Sequence, residues 1–480
     1  MKKLLILICA SALLSSGCIG GKSDRMGLGA DGTLTNYADS YKPARDMLLG
    51  GKFDELASKM KENAPDKEGN KLTDDEHKEK LVAEYSEIAL LERGLLTLNS
   101  GDFRRAIHYF DAAELKMDQE DEKGMLAKGA SAGGKGLLVG LTGSEEASDY
   151  NLRGYEKVML YNYKALCYML MGDRRAYNVT RRAITKQQEE WEIFKTMVEK
   201  AKAEEEKQLA ESGSSKGALE SGDTRDDYTK KKAASVSSAF VNPFADYMNG
   251  MIMEIDSIQD RTIRDNAALA YKKVLENNAK CTMAKQAHDQ LKKGSAPKGQ
   301  KMVQVILADG FSPERRVQTS GYQVGKLTAI VNYTQAIPYP STIASAKAGN
   351  VTLAPLSDME AIILRDDQDC APFRNMMFVA AAVRSGAASY LGGSTLAGLT
   401  SKMQNPDTRS WLTLPGKMLI ARMYVPAGQK QIELQTRNAS GRVVSSKKVD
   451  LAAKGPTVIY AVSYDTQLRA YANDNSWLAQ

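Results

Sequence analysis

The chain has 480 residues, with 65 Lys and Arg against 59 Asp and Glu and a net charge of +6, of which Lys2 and Lys3 supply two units. So small a surplus, spread along the whole chain, excludes the concentrated basic face that nucleic-acid binding requires. The length suffices for two or three domains with cores of their own.

Residues 1–17 combine Lys2 and Lys3, an apolar run from Leu4 to Leu14, and small residues before Cys18. This is the pattern of a secretory signal, and the run is too short to persist as a spanning helix. Small residues followed by cysteine resemble the lipobox of bacterial lipoproteins, although Ser15 stands where that motif usually has Leu. The resemblance implies cleavage before Cys18, lipidation of that cysteine and, with Ile19 rather than Asp next, an outer-membrane anchor facing the periplasm. The alternative is an ordinary cleaved signal with a free cysteine. Residues 18–39 are polar and Gly-rich and read as a flexible tether of roughly 25 Å mean reach.

Residues 40–293 read as helical. Leu81, Tyr85, Ile88, Leu91, Leu95 and Leu98 recur every three or four places, which predicts one amphipathic helix stopped at Asn99–Gly101. Phe103, Ile107, Phe110, Ala113 and Met117 predict a second helix after a short turn, antiparallel to the first. The segment from Gly101, Asp102 and Phe103 through Ala106 to Ala113 resembles a tetratricopeptide repeat. A related unit turns at Gly172-Asp173, 71 residues on, close to twice the roughly 34-residue period. Its stripe is Tyr155, Met159, Tyr163, Leu166 and Leu170. Weaker hairpins lie at 41–65 and 261–280, so stacked hairpins would form a short solenoid with a concave face.

Between the two clear units, Gly129, Gly134 and Lys135 fit the GxxxxGK spacing of a phosphate-binding loop. Gly136 stands where Ser or Thr must hold magnesium, so the glycines read as an inter-repeat connector and no nucleotide is expected. A charged helix continues past Trp191, and residues 202–236 read as a linker, with Lys230–Lys232 solvated. Pro243 is suited to a helix start.

Residues 294–480 read as a β-rich domain. MVQVILADG predicts a strand ending at Gly310, and short β-type runs follow at 322–332, 351–354, 360–364, 417–425, 429–436, 442–450 and 457–464. Ile432 and Leu434 alternate with Gln431, Glu433 and Gln435, the period of a strand with one wet face, and Asn438–Gly441 supplies a hairpin turn. Strands so spaced suggest a β-sandwich. Residues 373–403, rich in Ala, Met and Gly, read as a helical insertion, with a pore-forming hairpin at 373–399 as the other reading. The pair LIARMYV and QIELQT, with Pro426-Ala427-Gly428 between them, resembles small carbohydrate-surface sandwich modules.

Cys167 falls in an apolar helical stretch and reads as a buried thiol. For Cys281 and Cys370, a disulfide and free thiols are both compatible with an oxidising compartment. His77, His108 and His288 form no ligand pattern, so no metal and no cofactor is expected. The acidic pair Asp366-Asp367 reads as solvated, glycan cleavage being the other possibility weighed for it.

The lipobox, the stretch GYEKVMLYNYKALCYMLMGD, the phrase NPFADYMNG and the block RSWLTLPGKMLIARMYVPAG together resemble an uncharacterised family of bacterial outer-membrane lipoproteins with tetratricopeptide-like repeats. The resemblance runs from about Tyr41 to Tyr464. Its marker residues are Asn242, Pro243, Phe244, Tyr247 and Gly250, and Arg409, Trp411 and Pro415. It implies a neighbourhood with a curli-secretion-type lipoprotein and offers no catalytic residues. The expectation is an α+β multidomain chain: a tetratricopeptide-like α-solenoid, then a β-sandwich-like domain with a helical insertion. It would be a non-catalytic scaffold binding envelope proteins through its concave helical face, to which some of Tyr155, Tyr161, Tyr163 and Tyr168 would contribute. The alternatives are a subunit of an oligomeric outer-membrane secretion complex and, third, a glycan-active enzyme.

Overall fold

The computed structural model describes residues 36–60, 74–130, 150, 152–212, 225–240, 242–294, 297–324, 327–372, 374–375 and 406–473. The signal region with Cys18, the connector at 131–149 and nearly all of the 373–403 insertion lie outside the described residues.

Helices fill the N-terminal part and sheets the C-terminal part. The helices are α1 Tyr37–Leu49, α2 Phe53–Lys59, α3 Asp74–Glu84, α4 Glu87–Asn99, α5 Phe103–Ala130, α6 Gly154–Leu170, α7 Arg175–Ser212, α8 Asp227–Ala233, α9 Phe244–Asp256, α10 Arg264–Asn277 and α11 Thr282–Lys293. The helix expected through Leu81–Leu98 is broken at Tyr85. Ser86 takes an extended backbone and its hydroxyl accepts the Ala89 N–H at 3.3 Å, so a new helix is capped there. The linker expected over 202–236 is helical as far as Ser212 and again over α8, where Asp226 caps the start and Lys232 pairs with Asp358 at 2.7 Å.

The strands are β1 Gln300–Asp309, β2 Glu314–Val324, β3 Leu327–Ile337, β4 Ser345–Ala348, β5 Val351–Thr352, β6 Ala354–Ser357, β7 Lys417–Pro426, β8 Gln431–Arg437, β9 Val443–Asp450, β10 Thr457–Tyr464 and β11 Gln467–Ala472, with helix α12 Met359–Asp369 before β7. The run 360–364 is thus helical rather than extended. Asp358 caps it by accepting the Ala361 N–H at 3.0 Å, and a short apolar run has no period that separates strand from helix. The single run at 322–332 is divided between β2 and β3, which pair antiparallel.

One sheet has the order β11-β10-β1-β7-β6, with β1 parallel to β10 and antiparallel to β7; a second has the order β5-β4-β8-β9. Strands β7 and β8 lie in different sheets and do not pair, so Pro426–Gly428 leads from one sheet to the other rather than turning a hairpin.

Strand alternation builds two cores. Ile306, Met418, Ile420, Val458 and Tyr460 join one continuous apolar cluster with the helices. Their neighbours Val305, Leu307, Leu419, Ala421 and Ile459 join Ile432, Leu434 and Val449 of the second sheet in another. The five-stranded sheet is therefore buried on both faces, helices on one side and the four-stranded sheet on the other. Cys167, Cys281 and Cys370 are all free thiols, so no Cys281–Cys370 bridge forms.

Candidate functional site

The repeat residues build turns. Gly101 has φ +92° and Gly172 +69°, values that favour glycine. At the first turn Gly101 N–H bonds Leu98 O and Asp102 N–H bonds Thr97 O; at the second, Gly172 N–H bonds Met169 O and Asp173 N–H bonds Tyr168 O. These are the paired bonds of a Schellman C-cap. Each Asp then accepts an N–H of the next helix, Arg105 at 3.1 Å and Arg175 at 2.9 Å. A third turn at Gly51, φ +73°, repeats the pattern through Leu48 and Met47. Ala106 and Ala113 are fully buried, and Phe103 packs edge-on against Tyr471 of β11 at 5.6 Å.

The two groups of marker residues meet on α6. Trp411, 1% exposed, lies 5.9 Å from the Tyr163 ring and 6.3 Å from Phe110; Tyr163 in turn meets Phe244 at 6.4 Å. Asn242 accepts the Phe244 N–H at 3.1 Å and the Ser357 hydroxyl at 2.9 Å, tying the start of α9 to the end of β6. Pro243 forms the N-cap of α9, and Gly250 lets the Tyr271 ring of α10 approach closely. Arg409 is clamped by Asp407 at 2.7–3.0 Å and lies over the Tyr150 ring, and Pro415 is buried.

The segment 406–416, without regular secondary structure, runs buried against the helices. A buried chain of this kind must have its backbone groups satisfied, and a helix interior has no free backbone acceptors to offer. Side-chain carboxylates take their place. Glu92 of α4 accepts the Leu412 N–H at 2.6 Å and the Thr413 N–H at 3.0 Å, and Glu156 of α6 accepts the Trp411 N–H at 2.9 Å. On the carbonyl side Ser312 donates to Trp411 O at 3.0 Å. Thr408 accepts the first N–H of α1, from Tyr37, at 3.1 Å.

Burial pushes the Glu92 carboxyl up to about 8, against its hydrogen bonds from Thr413 and Leu412 and with the Glu156 charge adding to the rise. Burial likewise raises Glu156, which also accepts from the Tyr150 hydroxyl and the Arg153 N–H.

A second buried polar knot joins α9 to the sheet. Arg422 of β7 forks onto Glu254 at 2.9 and 3.1 Å through Nε, with its Nη2 on the same carboxylate. Tyr271 donates to Glu254 at 2.8 Å, Gln304 donates to it at 3.1 Å, and Tyr247 donates to Gln304 at 2.7 Å. Burial opposes the Arg422 charge, but the hydrogen bonds and charge of Glu254 outweigh it and hold the guanidinium above its ordinary range.

Tyr155, Tyr161, Tyr163 and Tyr168 are all buried, so none lines an open groove; the face that Tyr163 helps form is covered by the chain's own Trp411. Asp366 and Asp367 are buried rather than solvated. They face Arg153 at 2.7 Å and Arg315 at 3.5 and 3.7 Å. The His77 and His108 rings are 5.6 Å apart, and no group of three or more metal-ligating side chains occurs among the described residues.

Glu92, Glu156, Glu254 and Arg422 were not singled out from the sequence. The signal was present, since Glu92 shares the face of Ile88 and Leu95, Glu254 that of Tyr247 and Met251, and Arg422 the strand parity of Met418 and Ile420. Against family models, curated proteins and solved structures, the chain has no match.

Proposed function

We propose that the chain is a non-catalytic scaffold of the bacterial cell envelope, anchored to the outer membrane through lipid on Cys18 and facing the periplasm. Its partners would be envelope proteins, with a curli-secretion-type lipoprotein the candidate that the family resemblance offers. The observation that carries this reading is the use made of the buried carboxylates. Glu92, Glu156 and Glu254 each hold backbone or side-chain donors from distant parts of the chain, a construction role rather than an acid–base one. Asp366 and Asp367, the glycan-cleaving pair considered, face arginines in the same way.

The helical hairpins read as a tetratricopeptide-like solenoid, supported by three turns with one hydrogen-bond pattern, and the two sheets read as a sandwich, supported by their shared apolar cluster. Since segment 406–416 covers the face around Tyr163, the helical surface left to a partner is the outer one, where Trp191 and Ile193 of α7 are 40% and 45% exposed. In-cell crosslinking and pull-down of the lipidated protein, with Cys18→Ala as control, tests the scaffold. A defined envelope partner lost in the control supports it, and self-crosslinks alone overturn it.

A further inference from the structure

The four-stranded sheet turns one face to the first sheet and the other outward. Ala346, Ala348, Ile432 and Leu434 lie inward and are buried. Cross-strand pairing sets the positions between them in outward rows, Thr352, Lys347, Gln435 and Ser446 in one and Ser345, Arg437 and Val443 in the next. Ser446 and Lys448 are exposed, and Lys347, Gln435 and Arg437 are half-buried.

The charge surplus that reads as spread along the sequence is gathered here by the fold. Residues 345–352 and 429–455, which supply β4, β5, β8, β9 and their turns, hold seven Lys and Arg against two Asp and Glu, a net +5 where the whole chain has +6. Among the described residues Lys347, Lys430, Arg437, Arg442, Lys447 and Lys448 make no ion pair, whereas Lys157, Lys164, Arg182 and Lys186 of the helical part each pair with an acid. The two acids of the sheet are engaged by glutamines: Gln435 donates to Glu433 at 3.0 Å and Gln431 to Asp450 at 2.7 Å. Lysines on an edge strand keep sheets from pairing edge to edge. That accounts for Lys447 and Lys448 on β9, but not for Lys347 and Arg437 on the inner strands or Arg442 in the turn. Like charges gathered without counter-charges repel one another, a cost that an anionic partner removes.

The composition of the face selects the partner. Residues 345–352 and 429–455 contain no aromatic side chain, so neither a sugar ring nor a base has a platform to stack on. Protein interfaces are enriched in aromatic residues, Met and Arg and depleted in Lys, whereas Lys, Ser, Thr and Gln dominate this face. Lysines on a flat support, with no pocket to impose specificity, suit the anionic headgroup surface of a bilayer.

We propose that the outward face of the four-stranded sheet, with the cations of β9 and its turns, lies on anionic phospholipid headgroups of the membrane that holds the lipid anchor. This rests on the envelope placement proposed above. It adds an orientation, sheet toward the bilayer and helices away from it, which leaves the α7 surface free for a protein partner.

The test uses the full-length lipidated protein with Cys370→Ser, Cys167 and Cys281 being buried. A donor fluorophore is placed at Ser446→Cys on the sheet or at Asn266→Cys on α10, both exposed positions, and the protein is reconstituted in vesicles that carry a headgroup-labelled acceptor lipid. In phosphatidylethanolamine–phosphatidylglycerol vesicles, energy transfer from position 446 should exceed that from 266 several-fold. The difference should vanish when phosphatidylcholine replaces phosphatidylglycerol, at high salt, and in the Arg442→Gln, Lys447→Gln, Lys448→Gln variant. Equal transfer from both positions overturns the proposal, as does a preference indifferent to phosphatidylglycerol and salt. A face that ignores phosphatidylglycerol but retains an acidic envelope protein in a pull-down overturns it in favour of a protein partner. Membrane fractionation of cells separates the two readings: a wild-type chain in the soluble fraction sinks the anchor, and the same comparison, made with that soluble chain added to the vesicles, still decides the face.

Discussion

Glu92 and Thr413 are joined across 321 residues of chain, the Thr413 N–H and hydroxyl both donating to one buried carboxylate oxygen. This contact seats the 406–416 segment on α4, and it makes the helices and the sheet region interdependent. It also carries a pH signature. The Glu92 carboxyl has an ordinary value of 4.5 and is pushed up to about 8 in the fold, so folding favours its neutral form. Stability from this group is complete below about pH 4.5 and is lost as pH rises toward 8, a loss on the order of 5 kcal/mol at most. In Glu92→Gln the group no longer titrates, though its amide nitrogen now opposes a backbone N–H, a cost of about 1–3 kcal/mol. Chemical denaturation at pH 5 and pH 8 should therefore show wild type ahead of Glu92→Gln at pH 5 and the difference shrinking or reversing at pH 8. A difference that is constant with pH would refute the assignment.

The Glu254–Arg422 pair predicts a different pattern. Both side chains are buried, so removing one leaves the other without its counter-charge. Arg422→Met alone should cost about 3–5 kcal/mol, and so should Glu254→Leu alone. The double variant should recover most of that loss, because an apolar pair in place of a buried ion pair is often neutral. Urea unfolding of the four proteins in a double-mutant cycle measures the coupling. Additive losses would mean that the contact to Tyr271 and Gln304, rather than the ion pair, holds α9 to the sheet.

Much of this architecture is legible in the sequence because period and punctuation act locally. The stripe ending at Leu98, the Gly-Asp turns and the alternation of Ile432 and Leu434 each depend on residues a few places apart, and β10 matches its expected bounds, 457–464. The failures are equally physical. Ile362, Ile363 and Leu364 are too short a run to reveal a period, and the Asp358 cap that opens their helix is seen only in the fold. Ser86 interrupts a stripe whose spacing continues through it. Trp411 and Phe244 stood out as unusual residues, yet their meeting at Tyr163 depends on contacts between parts of the chain more than 80 residues apart, which no local rule encodes. The covered face was beyond reach for the same reason, since the occupant of the helical array is another part of the same chain.

Trp411 anchors that occupant. Replacing it with Ala removes a ring packed between Phe110 and Tyr163 and leaves a cavity at the junction of α4, α5 and α6, which should cost about 3–5 kcal/mol. Hydrogen exchange would locate the damage: the N–H groups of Leu412 and Thr413 should lose protection together with those of α4. If α4 kept its protection while the segment lost its own, the helices would stand independently of the segment, and the interdependence drawn from Glu92 would fall.

Gly101 and Gly441 separate two costs that usually come together. Both have positive φ, +92° and +78°, so an alanine at either carries the left-handed penalty of roughly 1–2 kcal/mol. A methyl at Gly441 meets nothing within 4 Å, whereas one at Gly101 falls 2.6 Å from the Tyr471 ring of β11. Overpacking of that kind adds typically about 1–3 kcal/mol. Gly101→Ala should therefore destabilise by about 2–5 kcal/mol and Gly441→Ala by only about 1–2 kcal/mol. Adding Tyr471→Ala to Gly101→Ala relieves the clash, so thermal unfolding of the double variant should show less than the sum of the two single losses. Strict additivity would place the whole effect in the backbone and remove the contact between the repeat turn and the last strand as a restraint on how helices and sheet fit together.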